Sequence, residues 1–118
     1  MKYIYLILTI LLVSSSAFAQ KEKEMKMNTE TNLIEATYYH ENGEISQQGT
    51  FNLDKKLHGN WISYNEAGEK ISEGAYVNGM KTGKWNFWNE GSLKEVEFSN
   101  NAIASVVNKE SSVRVTKN

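Results

Sequence analysis

Gly68-Glu-Lys-Ile-Ser-Glu-Gly74-Ala-Tyr76 is a second writing of Gly43-Glu-Ile-Ser-Gln-Gln-Gly49-Thr-Phe51, 25 residues upstream and aligned without a gap. A third, blurred copy runs from Gly91 to Phe98. Downstream of the copied stretch, Gly59-Asn-Trp61-Ile-Ser-Tyr64 matches Gly83-Lys-Trp85-Asn-Phe87-Trp88 at a spacing of 24. A period of this size marks stacked structural units, each too small to bury its own apolar face.

Within each unit the apolar residues alternate or cluster in short runs, and no stretch keeps helical spacing over ten residues. Trp, Tyr, Phe and Thr favour a pleated surface, and the recurrent glycines suit turns rather than helices. Turns are expected at Glu41-Asn42-Gly43, Glu66-Ala67-Gly68 and Glu90-Gly91, and strands over 44–51, 69–77 and 92–98. Further strands should carry Trp61 with Tyr64, and Trp85 with Phe87 and Trp88. Asn78-Gly79 supplies the two positive backbone angles of a tight hairpin turn. Leu33 to Tyr39 alternates as a half-buried strand, and 102–107 reads as a closing one; Val113 to Thr116 alternates more weakly. Ile45 lies six residues before Phe51, but Ile71 lies five before Tyr76. That parity change predicts a bulge near Gly74 or a core residue that changes face.

The ends differ in character. Lys2, the uncharged run Tyr3 to Val13, three serines and Ala17-Phe18-Ala19 form the pattern of a secretory signal peptide over 1–19, cleaved after Ala19. A membrane anchor needs about 20 apolar residues, and the serines begin too early for one. Residues 20–32 alternate charge with little apolar content and read as a flexible polar lead-in. The repeat domain is expected over 33–107, in units of about 39–63, 64–87 and 88–101, with a tail over 108–118.

Without residues 1–19 the chain keeps 12 basic and 14 acidic residues, because Lys2 is the only charge in that segment. The resulting net charge of −2 provides no footprint for nucleic acid and no basic cluster for strong membrane affinity. With no cysteine, the export compartment offers the chain no disulfide. An exported location, periplasmic or extracellular, is expected.

Glu73-Gly74-Ala75-Tyr76-Val77-Asn78-Gly79-Met80-Lys81-Thr82-Gly83-Lys84-Trp85 resembles the MORN-repeat signature, roughly G-x-Y-x-N-G-x-x-x-G-x-W. Tyr39 to Ile45 followed by Gly49-Thr50-Phe51 is similar to the bacterial variant found in toxin–antitoxin YwqK-type antitoxins. The likeness covers Tyr38 to about Asn101. The first unit departs by Phe51 in place of Tyr and by a longer, glycine-free connection at 52–57; the third lacks its Gly-x-Trp half. The resemblance implies an all-β, single-layer antiparallel meander of stacked hairpins that binds a protein partner instead of catalysing a reaction. For a chain with a signal peptide, it also implies an immunity-type inhibitor of a toxin acting outside the cytoplasm.

The aromatic residues Trp61, Tyr64, Trp85 and Trp88 are the candidate partner-binding side chains. Their structural role would be the stack between successive hairpins; their binding role would be a strip for a protein edge or a surface glycan. Strand alternation places Trp61, Trp85 and Phe87 on one face, and Tyr64 and Trp88 on the other. His40 and His58 lack the converging ligands of a metal site, and no catalytic or cofactor motif is present. Glu41, Glu66 and Glu90 occupy equivalent turns, so repetition accounts for them. The expectation is a non-enzymatic module with no cofactor, with sheet edges open to a protein partner or to self-association.

Overall fold

The computed structural model describes residues 22–109. They form one open antiparallel sheet of eight strands whose order in space is their order in the chain. The strands are β1 (Glu24–Asn28), β2 (Leu33–Tyr39), β3 (Ile45–Phe51), β4 (Gly59–Tyr64), β5 (Lys70–Val77), β6 (Met80–Asn89), β7 (Ser92–Ser99) and β8 (Ala102–Lys109). The all-β meander expected from the repeats is therefore what the chain adopts, with no helix among the described residues.

Three connections are two-residue turns with both central residues at positive φ: Asn78-Gly79 (48° and 83°), Glu90-Gly91 (49° and 81°) and Asn100-Asn101 (49° and 70°). Paired positive angles match the right-handed twist of the flanking strands. The longer turns after β2 and β4 repeat one another. The Gly43 N–H donates to the His40 carbonyl and the Gly68 N–H to the Asn65 carbonyl, each at 3.0 Å.

The first departure from expectation lies in 20–32. This lead-in contains strand β1, with Met25 opposite Ala36 and Met27 opposite Ile34. Its alternating charges hide a period of two in which the methionines take one face and Glu24 and Lys26 the other. A turn closes behind it, with the Asn32 N–H donating to the Asn28 carbonyl at 2.9 Å. The sheet thus spans 24–109, wider than 33–107, and β8 takes in Asn108 and Lys109 from the expected tail. Residues 1–19, where a signal peptide is expected, and Val113 to Thr116 lie outside the described residues.

The core is a single apolar face. Among the described residues the buried hydrophobic side chains are Ala36, Trp61, Trp85 and Val96, at 3–5 % exposure, and Gly74 is buried with them. Pairing aligns them: Ala36 lies opposite Gly49, Trp61 opposite Gly74, and Trp85 opposite Val96. The two indoles build this core in the same way. Trp61 lies over Gly49 and Trp85 over Gly74, so closely that a Cβ on either glycine would overlap the ring at Cγ, Cδ2 and Cε2. Each indole N–H then donates to the carbonyl after its glycine: Trp61 Nε1 to Thr50 O at 2.8 Å, Trp85 Nε1 to Ala75 O at 3.1 Å. Phe51 and Tyr76, two residues after the glycines, meet the indoles edge to face at 5.2 and 5.0 Å. Such contacts add about 0.5–1.5 kcal/mol each to the burial of the rings.

Backbone register makes room for this arrangement. Between the pairs Glu73–Asn86 and Ala75–Thr82, Gly74 alone stands against residues 83–85. Between Gln48–Ile62 and the bridge Phe51–Leu57, residues 49–50 stand against 58–61. In both units the tryptophan strand carries two surplus residues beside the glycine. The predicted irregularity at Gly74 is present, with the surplus on β6. A second irregularity falls at Ile71, between the pairs Ser63–Ser72 and Tyr64–Lys70. The first unit repeats it at Ser46, between Tyr38–Gln47 and Tyr39–Ile45. Ile71 is 40 % exposed, so it is not the counterpart of the half-buried Ile45.

Candidate interaction surface

The four aromatic candidates separate into two pairs. Trp61 and Trp85 lie in the core and leave almost no surface for a partner or a sugar ring. Their work is to hold neighbouring hairpins together. Tyr64 and Trp88 are half-buried. They lie on the opposite face: Trp88 pairs with Leu93, and the Tyr64 hydroxyl accepts a hydrogen bond from Gln48 Nε2 at 3.4 Å. No flat platform of three tryptophans exists, because the two buried indoles and Trp88 are on different sides of the sheet.

Lys81 partly covers the centre of the apolar face, its Nζ 5.5 Å above Trp85 and 5.2 Å above Phe98. Its methylenes shield the rings while the ammonium remains in water. Cover fails at the two ends of the sheet. On β1, Met25 and Met27 are about half exposed. On β8 every residue is exposed, with Ile103 at 64 %, Val106 at 49 % and Val107 at 48 %. An open depression on the apolar face runs over Phe87, Lys94, Val96, Phe98, Ile103 and Asn108 toward this edge.

The opposite face is mixed in character and carries the two ion pairs found among the described residues, Lys70–Glu73 at 3.2 Å and Lys109–Glu95 at 2.6 Å. The Lys70 ammonium, and then the Asn60 amide, hold the Glu73 carboxyl below its ordinary range. Lys109 does the same for Glu95. Tyr76, on the apolar face, has its phenol pKa raised by burial.

The histidines join repeats to one another. His40 Nε2 lies 2.9 Å from the Tyr64 carbonyl, and the Asn78 N–H donates to His58 Nδ1 at 3.2 Å. The second bond makes Nδ1 of His58 an acceptor, which places the proton of the neutral ring on Nε2. Asn42 Nδ2 to the Glu66 carbonyl (2.9 Å) and Asn52 Nδ2 to Asn78 Oδ1 (2.7 Å) tie the turns in the same direction. Among the described residues no three of His, Cys, Asp and Glu approach closely enough to hold a metal ion.

Alternation of apolar residues could have disclosed the exposed β1 and β8 faces. What it lacks is any mark of which strands an indole will cover. Comparison with family models, with curated proteins and with solved structures finds no match for this chain.

Proposed function

We propose that the chain is an exported, non-enzymatic MORN-like repeat module that binds another protein. The observation that carries this reading is the architecture of the described residues: one open sheet, with Tyr64 and Trp88 on the face opposite the buried indoles and with apolar side chains uncovered at both ends. A sheet of this kind offers a partner an edge for strand addition and a face for packing. The leader-like residues 1–19 support export, and the Gly74-to-Trp85 signature supports the MORN-like assignment. Their combination extends the reading to an immunity-type inhibitor of a toxin acting outside the cytoplasm.

The test is capture from a native envelope extract on immobilised chain spanning 20–118, with bound proteins identified by mass spectrometry. One protein species should be enriched, and Tyr64→Ala with Trp88→Ala, or Val106→Lys at the edge, should abolish its retention. Recovery no greater than on blank resin would overturn the reading. Co-expression of a captured toxin with and without this chain would then decide the inhibitor role.

A further inference from the structure

We infer that β8 is a dimerisation edge. Two copies pair β8 to β8 antiparallel, about a two-fold axis perpendicular to the sheet, and continue one sheet into the other. The inference rests on the protein-binding reading above and deepens it by naming the partner as a second copy of this chain.

Four observations converge on this strand. First, β8 is eight residues long, is bonded on its β7 side, and is exposed along its whole length. Its outward N–H and C=O groups therefore form a template for another strand. Second, its only charge is Lys109, at the far end and held by Glu95. The other edge, β1, is five residues long and has Glu24 and Lys26 within it, the usual protection against strand addition.

Third, the apolar face ends abruptly here. Val106 pairs with Val96 and Ile103 with Phe98, but no tryptophan follows to cover them. An axis perpendicular to the sheet keeps the same face of both copies on the same side. Pairing centred on Val106 sets that side chain against the second copy's Val106 and extends the apolar stripe across the junction. Lys109 then falls opposite the second copy's Ile103, so no like charges meet.

Fourth, the sheet is electrically lopsided. The turns after β2, β4 and β6 carry Glu41, Glu44, Glu66, Glu69 and Glu90 and no lysine or arginine. The turns at the other end balance Lys55 and Lys56 against Glu30 and Asp54. Antiparallel pairing places the glutamate end of one copy beside the balanced end of the other, whereas a parallel pair would align the two acidic rows. Joining β8 to a second copy's β1 would leave a free edge at each end and grow without closing. The β8 pair closes at two.

Sedimentation equilibrium of the chain spanning 20–118, over a wide concentration range, should show a reversible monomer–dimer equilibrium. Val106→Lys, at an exposed site, should weaken dimerisation by about tenfold or more by setting two ammonium groups opposite one another. Because the chain has no cysteine, Val106→Cys should form a disulfide-linked dimer on mild oxidation, and Met25→Cys should not. A monomer at every concentration, species growing beyond the dimer, or a Val106→Cys variant that fails to cross-link would each overturn the inference. If Val106→Lys loses its β-sheet circular dichroism, the cross-linking result decides alone. A monomer that still captures an envelope protein refutes the dimer and leaves the proposed function standing; a monomer that captures nothing refutes both.

Discussion

Val96 stands opposite Trp85 across β6 and β7, the place that Gly74 holds opposite Trp61 across β4 and β5. A glycine at that point receives the indole of the next strand; a valine cannot. Beyond Val96 the chain has no Gly-x-Trp, and β8 pairs directly, Val96 with Val106. The surplus of two residues seen in both earlier units is also gone. A single irregularity remains, between the pairs Glu97–Ser105 and Phe98–Ile103. The glycine, the surplus residues and the tryptophan are thus one device, present twice and dropped together in the third unit.

Gly74→Ala should therefore be among the most damaging single-methyl additions available in this chain. The new Cβ would overlap the Trp85 ring from Cγ to Cε2, and the indole would have to leave its seat and its bond to Ala75. Overpacking of this type costs about 1–3 kcal/mol, and displacement of a buried tryptophan about 3–5 kcal/mol. Urea unfolding followed by circular dichroism should show a loss within that range, and Gly49→Ala a similar one. An alanine tolerated at either site at no cost would show that the rings do not depend on bare backbone.

Intrinsic fluorescence separates the three tryptophans. Single-tryptophan chains made by Trp→Phe changes should give blue-shifted, acrylamide-resistant emission from Trp61 and Trp85, which are 5 % and 3 % exposed. The half-buried Trp88 should emit further to the red and be quenched more readily. Equal quenching at all three positions would contradict the assignment of two to the core and one to the opposite face.

The periodic part of the fold was legible from residue types alone. Repeated glycines, Asn78-Gly79 and alternating apolar residues predicted the positions of β2 to β8, and the repeat resemblance implied their arrangement as a meander. Two features were hidden. Strand β1 was masked because Glu24 and Lys26 made an alternating segment look like solvated linker, although Met25 and Met27 keep the period. The stacking role expected for the aromatics holds for Trp61 and Trp85, but what covers them was masked, because strand parity assigns a face and not its cover. That cover depends on a glycine in the neighbouring strand, 12 residues before Trp61 and 11 before Trp85. Parity predicts the irregularity at Gly74, and the structure identifies its cause as the indole laid over that glycine.

The Glu90-Gly91 turn is open to improvement. Glu90 sits at φ 49°, in the left-handed region that a side chain without local hydrogen bonding enters at a cost. Asn fills the same place at Asn78, φ 48°. Glu90→Asn should raise stability by about 0.5–1 kcal/mol, read as a higher urea midpoint with an unchanged slope. A lower midpoint would mean that the Glu90 side chain has a stabilising role in this turn.

Alkaline pH should report on Tyr76. Burial raises the pKa of its phenol above the ordinary 10.0, so the folded chain holds that proton to higher pH than the unfolded chain does. With more protons bound in the folded state, stability falls as pH rises. The contribution is fully present below about pH 10 and is lost as pH climbs through the folded value. Tyr76→Phe, which copies the Phe51 of the first unit, retains the edge-to-face partner of Trp85 and removes the ionisable group. Stability curves of the two chains should run parallel at neutral pH and diverge above pH 10, with the parent chain falling faster. Curves that remain parallel throughout the alkaline range would show that the phenol ionises as freely in the folded chain as in the unfolded one.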